Sequence, residues 1–204
     1  QTNGYVVADA NGDGTFTLVG GNNVIAVSNA NDTALIGTVI GGCGFTKMGN
    51  GVLQLAGANT FTGNVTVAQG TLRLSKFAFA ALGATGSGND TIVSNGATLD
   101  LCGAYTDNYN RAENLYISGT GVNGQGALIN TGRSLMNSGI SGITTLLGDT
   151  TVNCPNRIDF RNSVVGNNYT LTKNGGSELA VGVAVTNCKV IINNGNYTYM
   201  NPLA

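Results

Sequence analysis

Apolar and polar residues alternate along this chain in many short runs, and each run stops at glycine or asparagine. Thr15-Phe16-Thr17-Leu18, Val52-Leu53-Gln54-Leu55, Thr71-Leu72-Arg73-Leu74 and Lys189-Val190-Ile191-Ile192 show the pattern. A period of two belongs to a β-strand with one face buried, so these segments predict strands of about four to six residues. No amphipathic 3.6-residue pattern of useful length leaves material for helices, and the chain reads as all-β. Strict alternation places Leu53, Leu55, Leu72, Leu74, Leu99 and Leu101 in the core, with Arg73 and Asp100 outward.

The chain also repeats itself. Phe45-Thr-Lys-Met-Gly-Asn-Gly-Val-Leu-Gln-Leu55 aligns with Leu171-Thr-Lys-Asn-Gly-Gly-Ser-Glu-Leu-Ala-Val181 at an offset of 126 without a gap. After a one-residue slip, Asn64 to Gly70 lies over Lys189 to Gly195, which gives copies at 45–74 and 171–199. A shorter echo joins Gln69-Gly-Thr-Leu-Arg-Leu74 to Gly96-Ala-Thr-Leu-Asp-Leu101. Short strands broken by Gly and Asn corners wind into coils whose inward side chains stack on the next coil. Residues 1–204 therefore predict a single β-helical segment of roughly nine coils, about 40 Å long. If the two echoing strands stack, Arg73 and Asp100 become neighbours, expected as a solvated ladder pair.

Composition narrows the function. Hydrophobic residues make up 42% and charged residues 9%, with 32 glycines and a net charge of -1. Such a surface gives no steering toward phosphate, so no nucleic-acid partner is expected, and no apolar run approaches a membrane span. Histidine is absent, which removes the usual general base and imidazole ligand. The acidic residues, among them Asp107, Glu113, Asp149, Asp159 and Glu178, are spread along the chain. Asp9, Asn11 and Asp13 make a weak calcium-loop candidate, because the twelfth position, where an EF-hand needs Glu, is Gly20. An Asn/Asp/Gly turn accounts for that string as simply. Cys43, Cys102, Cys154 and Cys188 form no Cys-x-x-Cys pair; they are either packed thiols or two bridges, Cys43 with Cys102 and Cys154 with Cys188. Thr-x-Thr pairs at 15/17, 60/62 and 170/172 are too scattered for an ice-binding face. Tyr105, Tyr109 and Tyr116 are candidates for a sugar platform. No catalytic residue and no cofactor is assigned.

The stretch from Gly44 to Leu74, with Phe45-Thr46-Lys47-Met48-Gly49 and Ala58-Asn59-Thr60-Phe61-Thr62-Gly63 at its centre, resembles the autotransporter-associated β-strand repeat, also called the passenger-associated transport repeat. The inter-repeat segments Asn95 to Leu101, Ile117 to Gly121, Gly126 to Asn130 and Leu147 to Thr151 extend the resemblance over roughly residues 40 to 200. The second copy departs from it where Val183-Ala-Val-Thr-Asn-Cys188 replaces Ala58 to Gly63. The resemblance implies a right-handed parallel β-helix in a secreted or surface-displayed bacterial protein, associated with passenger folding and export and without a catalytic motif. The expectation is a structural or adhesive stalk outside the cell, partnered by flanking domains of a longer chain and by a host-surface or glycan ligand. The runner-up is a carbohydrate-binding or polysaccharide-degrading β-helix.

Overall fold

The computed structural model describes residues 4–7, 14–75, 80–104, 113–133 and 138–200. These residues form short strands: β1 (Gly4–Val7), β2 (Thr15–Leu18), β3 (Asn23–Ala26), β4 (Thr33–Ile36), β5 (Val39–Met48), β6 (Val52–Leu55), β7 (Thr62–Val67), β8 (Thr71–Leu74), β9 (Thr91–Val93), β10 (Thr98–Asp100) and β11 (Leu115–Gly119). The chain continues with β12 (Leu128–Ile129), β13 (Gly139–Ile140), β14 (Thr144–Asn153), β15 (Ile158–Phe160), β16 (Val164–Val165), β17 (Thr170–Asn174), β18 (Glu178–Val181), β19 (Val185–Thr186), β20 (Lys189–Ile192) and β21 (Asn196–Tyr199). Every strand pairing is parallel, and a 3₁₀ turn at Val122–Gly124 is the one helical element among the described residues.

Strand order resolves into three columns, the faces of a prism. The first runs β1-β4-β6-β8-β10-β12-β14-β17-β20. The second runs β3-β5-β7-β9-β11-β14-β16-β19. The third holds β2 with β5 and then β13-β15-β18-β21. The result is a parallel β-solenoid of about 8 turns. Strands β5 and β14 each bend around a corner and serve two columns. The bend in β5 needs Gly42, whose φ is 85° and where a Cβ would overlap the Leu18 carbonyl.

The core is a stack of inward side chains. Leu53, Leu72, Leu99 and Leu128 are consecutive register partners in the first column, and all four are fully buried. Leu55, Leu74 and Leu101 are buried beside them. Each leucine withdrawn from water contributes roughly 1.5 to 3 kcal/mol, set against the ordering of its coil. In the third column, buried asparagines stand in for strands. Asn59 accepts from Ile40 N at 2.8 Å and donates to Ala81 O at 2.7 Å, so one amide joins three successive turns. Asn130 does the same between Gly103 N and Arg157 O.

The two sequence copies sit one face apart. From β5 the second column climbs five turns, through β7, β9, β11 and β14 to β16, and the chain then enters β17 in the first column. An offset of 126 residues is thus five turns plus one face, and the corner after β5 has its counterpart at the next corner of the prism, after β17.

Candidate functional site: two lysine-stapled corners

In each copy a lysine occupies an inward strand position and buries its ammonium in the corner that follows. Lys47 lies in register between Ile25 and Val67, and its Nζ donates to Met48 O at 3.0 Å, Gly49 O at 2.6 Å and Gln69 O at 3.0 Å. Lys173 lies between Val152 and Ile192 and donates to Asn174 O at 3.1 Å, Gly175 O at 2.6 Å and Asn194 O at 2.7 Å. Both residues are fully buried. An ammonium has three N–H donors, and each finds a carbonyl: two from its own turn and one from the turn of the following coil. Each lysine therefore staples two coils together at a corner where strand pairing has stopped.

The corner glycines make room for the staple. Gly70, with φ 65°, faces Gly51 O at 2.6 Å from where its Cβ would stand, and a Cβ on Gly195 would lie 2.6 Å from Lys173 Nζ. Burial lowers the Lys47 pKa to about 8, and burial lowers that of Lys173 as well, against the nearby Cys154. Neither amine is a nucleophile in this state, since all three protons are held by backbone.

Replacing Lys47 by methionine keeps the apolar stem and removes the donors. Met48 O still accepts from Val27 N at 3.1 Å, whereas Gly49 O and Gln69 O lose the ammonium. The expected cost is about 1 to 3 kcal/mol in urea unfolding, because the released desolvation of the ammonium offsets part of the lost hydrogen bonding. Arginine is not expected to restore it, since a planar fork does not present three tetrahedral donors. An unchanged unfolding midpoint for Lys47→Met would remove the staple from the account.

Charged side chains gather at two further places. Asp100 and Arg73 are register partners joined at 2.9 Å, as the echo of their strands requires. Their pair is not a solvated ladder: Asp100 is fully buried, accepting also from Cys102 N, Thr131 N and Thr131 Oγ1. The turn after β12 and the backbone after β10 close over it. On the third column, Arg157 bonds Asp159 at 2.6 Å and Glu178 at 2.7 Å, and Arg161 reaches the other Asp159 oxygen at 3.3 Å. Burial raises the Asp159 pKa, with the two arginines opposing it. Acidic residues that are spread in sequence are thus brought together here by stacking. Their carboxylates are engaged by arginine, an arrangement that cross-links coils.

Of the remaining sequence candidates, Asp9, Asn11, Asp13, Tyr105, Asp107 and Tyr109 lie outside the described residues. Tyr116 is half-buried in the second column between Ile92 and Thr145. The three Thr-x-Thr pairs do not share a face: Thr15/Thr17 is on the third column and Thr170/Thr172 on the first. All four cysteines are free thiols. Cys43 lies in the β5 bend and Cys102 beyond β10, while Cys154 follows β14 and Cys188 precedes β20, so each proposed pair is divided between different corners. Burial pushes the Cys154 thiol up to about 12, against the pull of Lys173. Among the described residues no group of three or more Cys, Asp or Glu is placed to hold a metal ion, and no helix is long and apolar enough to cross a membrane.

The stapled corner of the first copy falls inside a known repeat. Residues 45–74 match the passenger-associated-transport-repeat family. The chain is also 38% identical over 105 residues to the Adhesin BmaC autotransporter of Brucella suis biovar 1 (strain 1330). That match takes in 51% of this chain and 3% of the adhesin, so the chain corresponds to a small part of that relative's length. No solved structure matches. Within the matched residues the staple is Lys47 with the carbonyls of Met48, Gly49 and Gln69, and Gly70 leaves room for it. The signal for them was present in the alignment of the copies, where Lys47 and Lys173 are the only charged residue kept across the gap-free stretch.

Proposed function

We propose that the chain is a non-enzymatic stalk segment of an autotransporter passenger, exported to the cell surface, where its coils carry flanking parts of a longer polypeptide outward. The observation that carries this reading is the repeated staple. A buried lysine tying one coil to the next in each of the two copies suits a rod that must hold its shape outside the cell. Nearest-neighbour stacking lets such a rod lengthen by adding coils, with each coil contributing its own increment of stability. The relative's description as an adhesin supports a role in attachment, with the stalk presenting the adhesive surface.

The test is display. With the chain fused ahead of an autotransporter translocator, surface labelling and protease resistance on intact cells are compared with those of the Lys47→Met, Lys173→Met double variant. The expected result is a marked drop in protease-resistant passenger at the surface for the double variant. Equal display and equal resistance would reject a part for the repeat in folding or export.

A further inference from the structure

The outward side of the second column holds a groove of about 790 Å³ near its first turns. Its making is specific. Strands β5 and β7 pair Cys43 with Thr62 and then Phe45 with Val65, so β7 carries one extra residue, a β-bulge at Gly63 and Asn64 opposite Gly44. A Cβ on Gly44 would overlap the Asn64 carbonyl, so glycine is what allows the bulge to close down. The bulge is then pinned from the next coil, where Gly63 N donates to Asn89 Oδ1 at 2.7 Å and Asp90 N donates to Asn64 Oδ1 at 2.9 Å.

This pinning fixes two amides on the groove wall in opposite senses. Asn64 has its oxygen occupied and its Nδ2 left over. Asn23, another lining residue, donates its Nδ2 to Gly20 O and Gly44 O at 3.0 and 3.2 Å and keeps its Oδ1. One wall thus offers a donor and the other an acceptor, each held in place by backbone. The floor is Thr46 and Thr66, register partners about one strand spacing of 4.8 Å apart. Val24, 60% exposed, and Met48 add apolar surface beside them. Among the described residues that line the groove, none is charged.

We infer that this groove is a binding site for a neutral oligosaccharide. Sugar hydroxyls need donors and acceptors together, and the C–H faces of a ring need a small apolar patch; the groove supplies both. The uncharged lining offers nothing to offset the desolvation of a carboxylate or sulfate, which disfavours acidic glycans. The site stands apart from the stalk reading, since its loss would leave coil stacking and display unchanged.

The test uses the whole 204-residue chain on an array of neutral and acidic glycans, followed by calorimetric titration with the strongest hit. Thr46→Val with Thr66→Val removes both floor hydroxyls while keeping β-branched residues in outward strand positions. Thr145→Val, on the same column five strands above Thr46's neighbour β3, serves as the control. Circular dichroism confirms that each variant keeps its strands. The expected result is binding to neutral oligosaccharides, insensitive to added salt and weakened about tenfold or more in the double variant but not in the control. Absence of any glycan binding, binding restricted to acidic glycans, or equal affinity of the double variant would each overturn the inference.

Discussion

Replacing Asp100 by alanine is expected to lower the unfolding free energy by about 3 to 5 kcal/mol, among the largest losses from a single substitution outside the leucine column. The carboxylate is fully buried and takes four hydrogen bonds: Cys102 N at 2.9 Å and Thr131 N at 3.1 Å on one oxygen, Arg73 Nε at 2.9 Å and Thr131 Oγ1 at 2.7 Å on the other. These partners come from three successive coils. Removing the acceptor leaves two backbone N–H groups and a guanidinium without it, and it frees Cys102 from a φ of 48° that a residue with a Cβ adopts only under constraint. Arg73→Ala is expected to cost far less, about 1 kcal/mol, because the arginine side chain is 31% exposed in the fold and Asp100 keeps its other three hydrogen bonds without it. Urea unfolding of both single variants and the double variant measures the coupling, and amide exchange at Cys102 and Thr131 shows whether the loss is local. An Asp100→Ala protein within about 1 kcal/mol of the parent would show that the turn re-forms its bonds with water, and the hub would be an ornament of the fold.

How much of this was legible beforehand follows from what each residue contacts. Alternation encodes the first column directly: Leu53, Leu72 and Leu99 are each the second residue of a four- or three-residue strand and lie one above the other. The echo between Thr71–Leu74 and Thr98–Leu101 carried the adjacency of Arg73 and Asp100 for the same reason. The burial of Asp100 could not be read from the strand, because the groups that cover it belong to turns whose positions no periodicity reports. The solenoid was legible, but not that its copies turn by one face, because bends inside β5 and β14 let the chain round a corner without a break in the strand. The lysines were hidden by a sound rule. Lys is almost never fully buried unless paired, and here the partners are six backbone carbonyls, which leave no trace in side-chain sequence. The Arg157, Asp159 and Glu178 cluster was hidden by distance along the chain, since Glu178 reaches Arg157 only through the stacking of β18 on β15.

The pH dependence of stability is expected to centre on Glu113, for which the alternating pattern gave no role. It precedes β11, is almost fully buried, and has one oxygen bonded by Thr91 Oγ1 at 2.6 Å while the other has no partner among the described residues. Burial raises its pKa from 4.5 to about 8, the Thr91 hydrogen bond opposes the shift, and the Asp90 carboxylate on the neighbouring coil adds to it. The folded state therefore holds a proton that the unfolded chain releases near pH 4.5. The stabilisation is complete below that pH and is lost as pH rises through the interval from 4.5 to 8, at up to about 1.4 kcal/mol per unit. Lys47 does not blur this interval, because its own change runs from about 8 in the fold to 10.5 in the unfolded chain. Glutamine at position 113 keeps the acceptor for Thr91 and has no proton to lose. Urea midpoints measured from pH 5 to pH 8 should fall for the parent protein and fall less steeply for Glu113→Gln, with the variant the more stable of the two by a few kcal/mol at pH 8. Asp159, whose pKa burial also raises, contributes equally to both proteins and cancels in the comparison. Parallel pH profiles would mean that the buried carboxyl finds a donor or water when it ionises, and the proton would then belong to no one residue in the core.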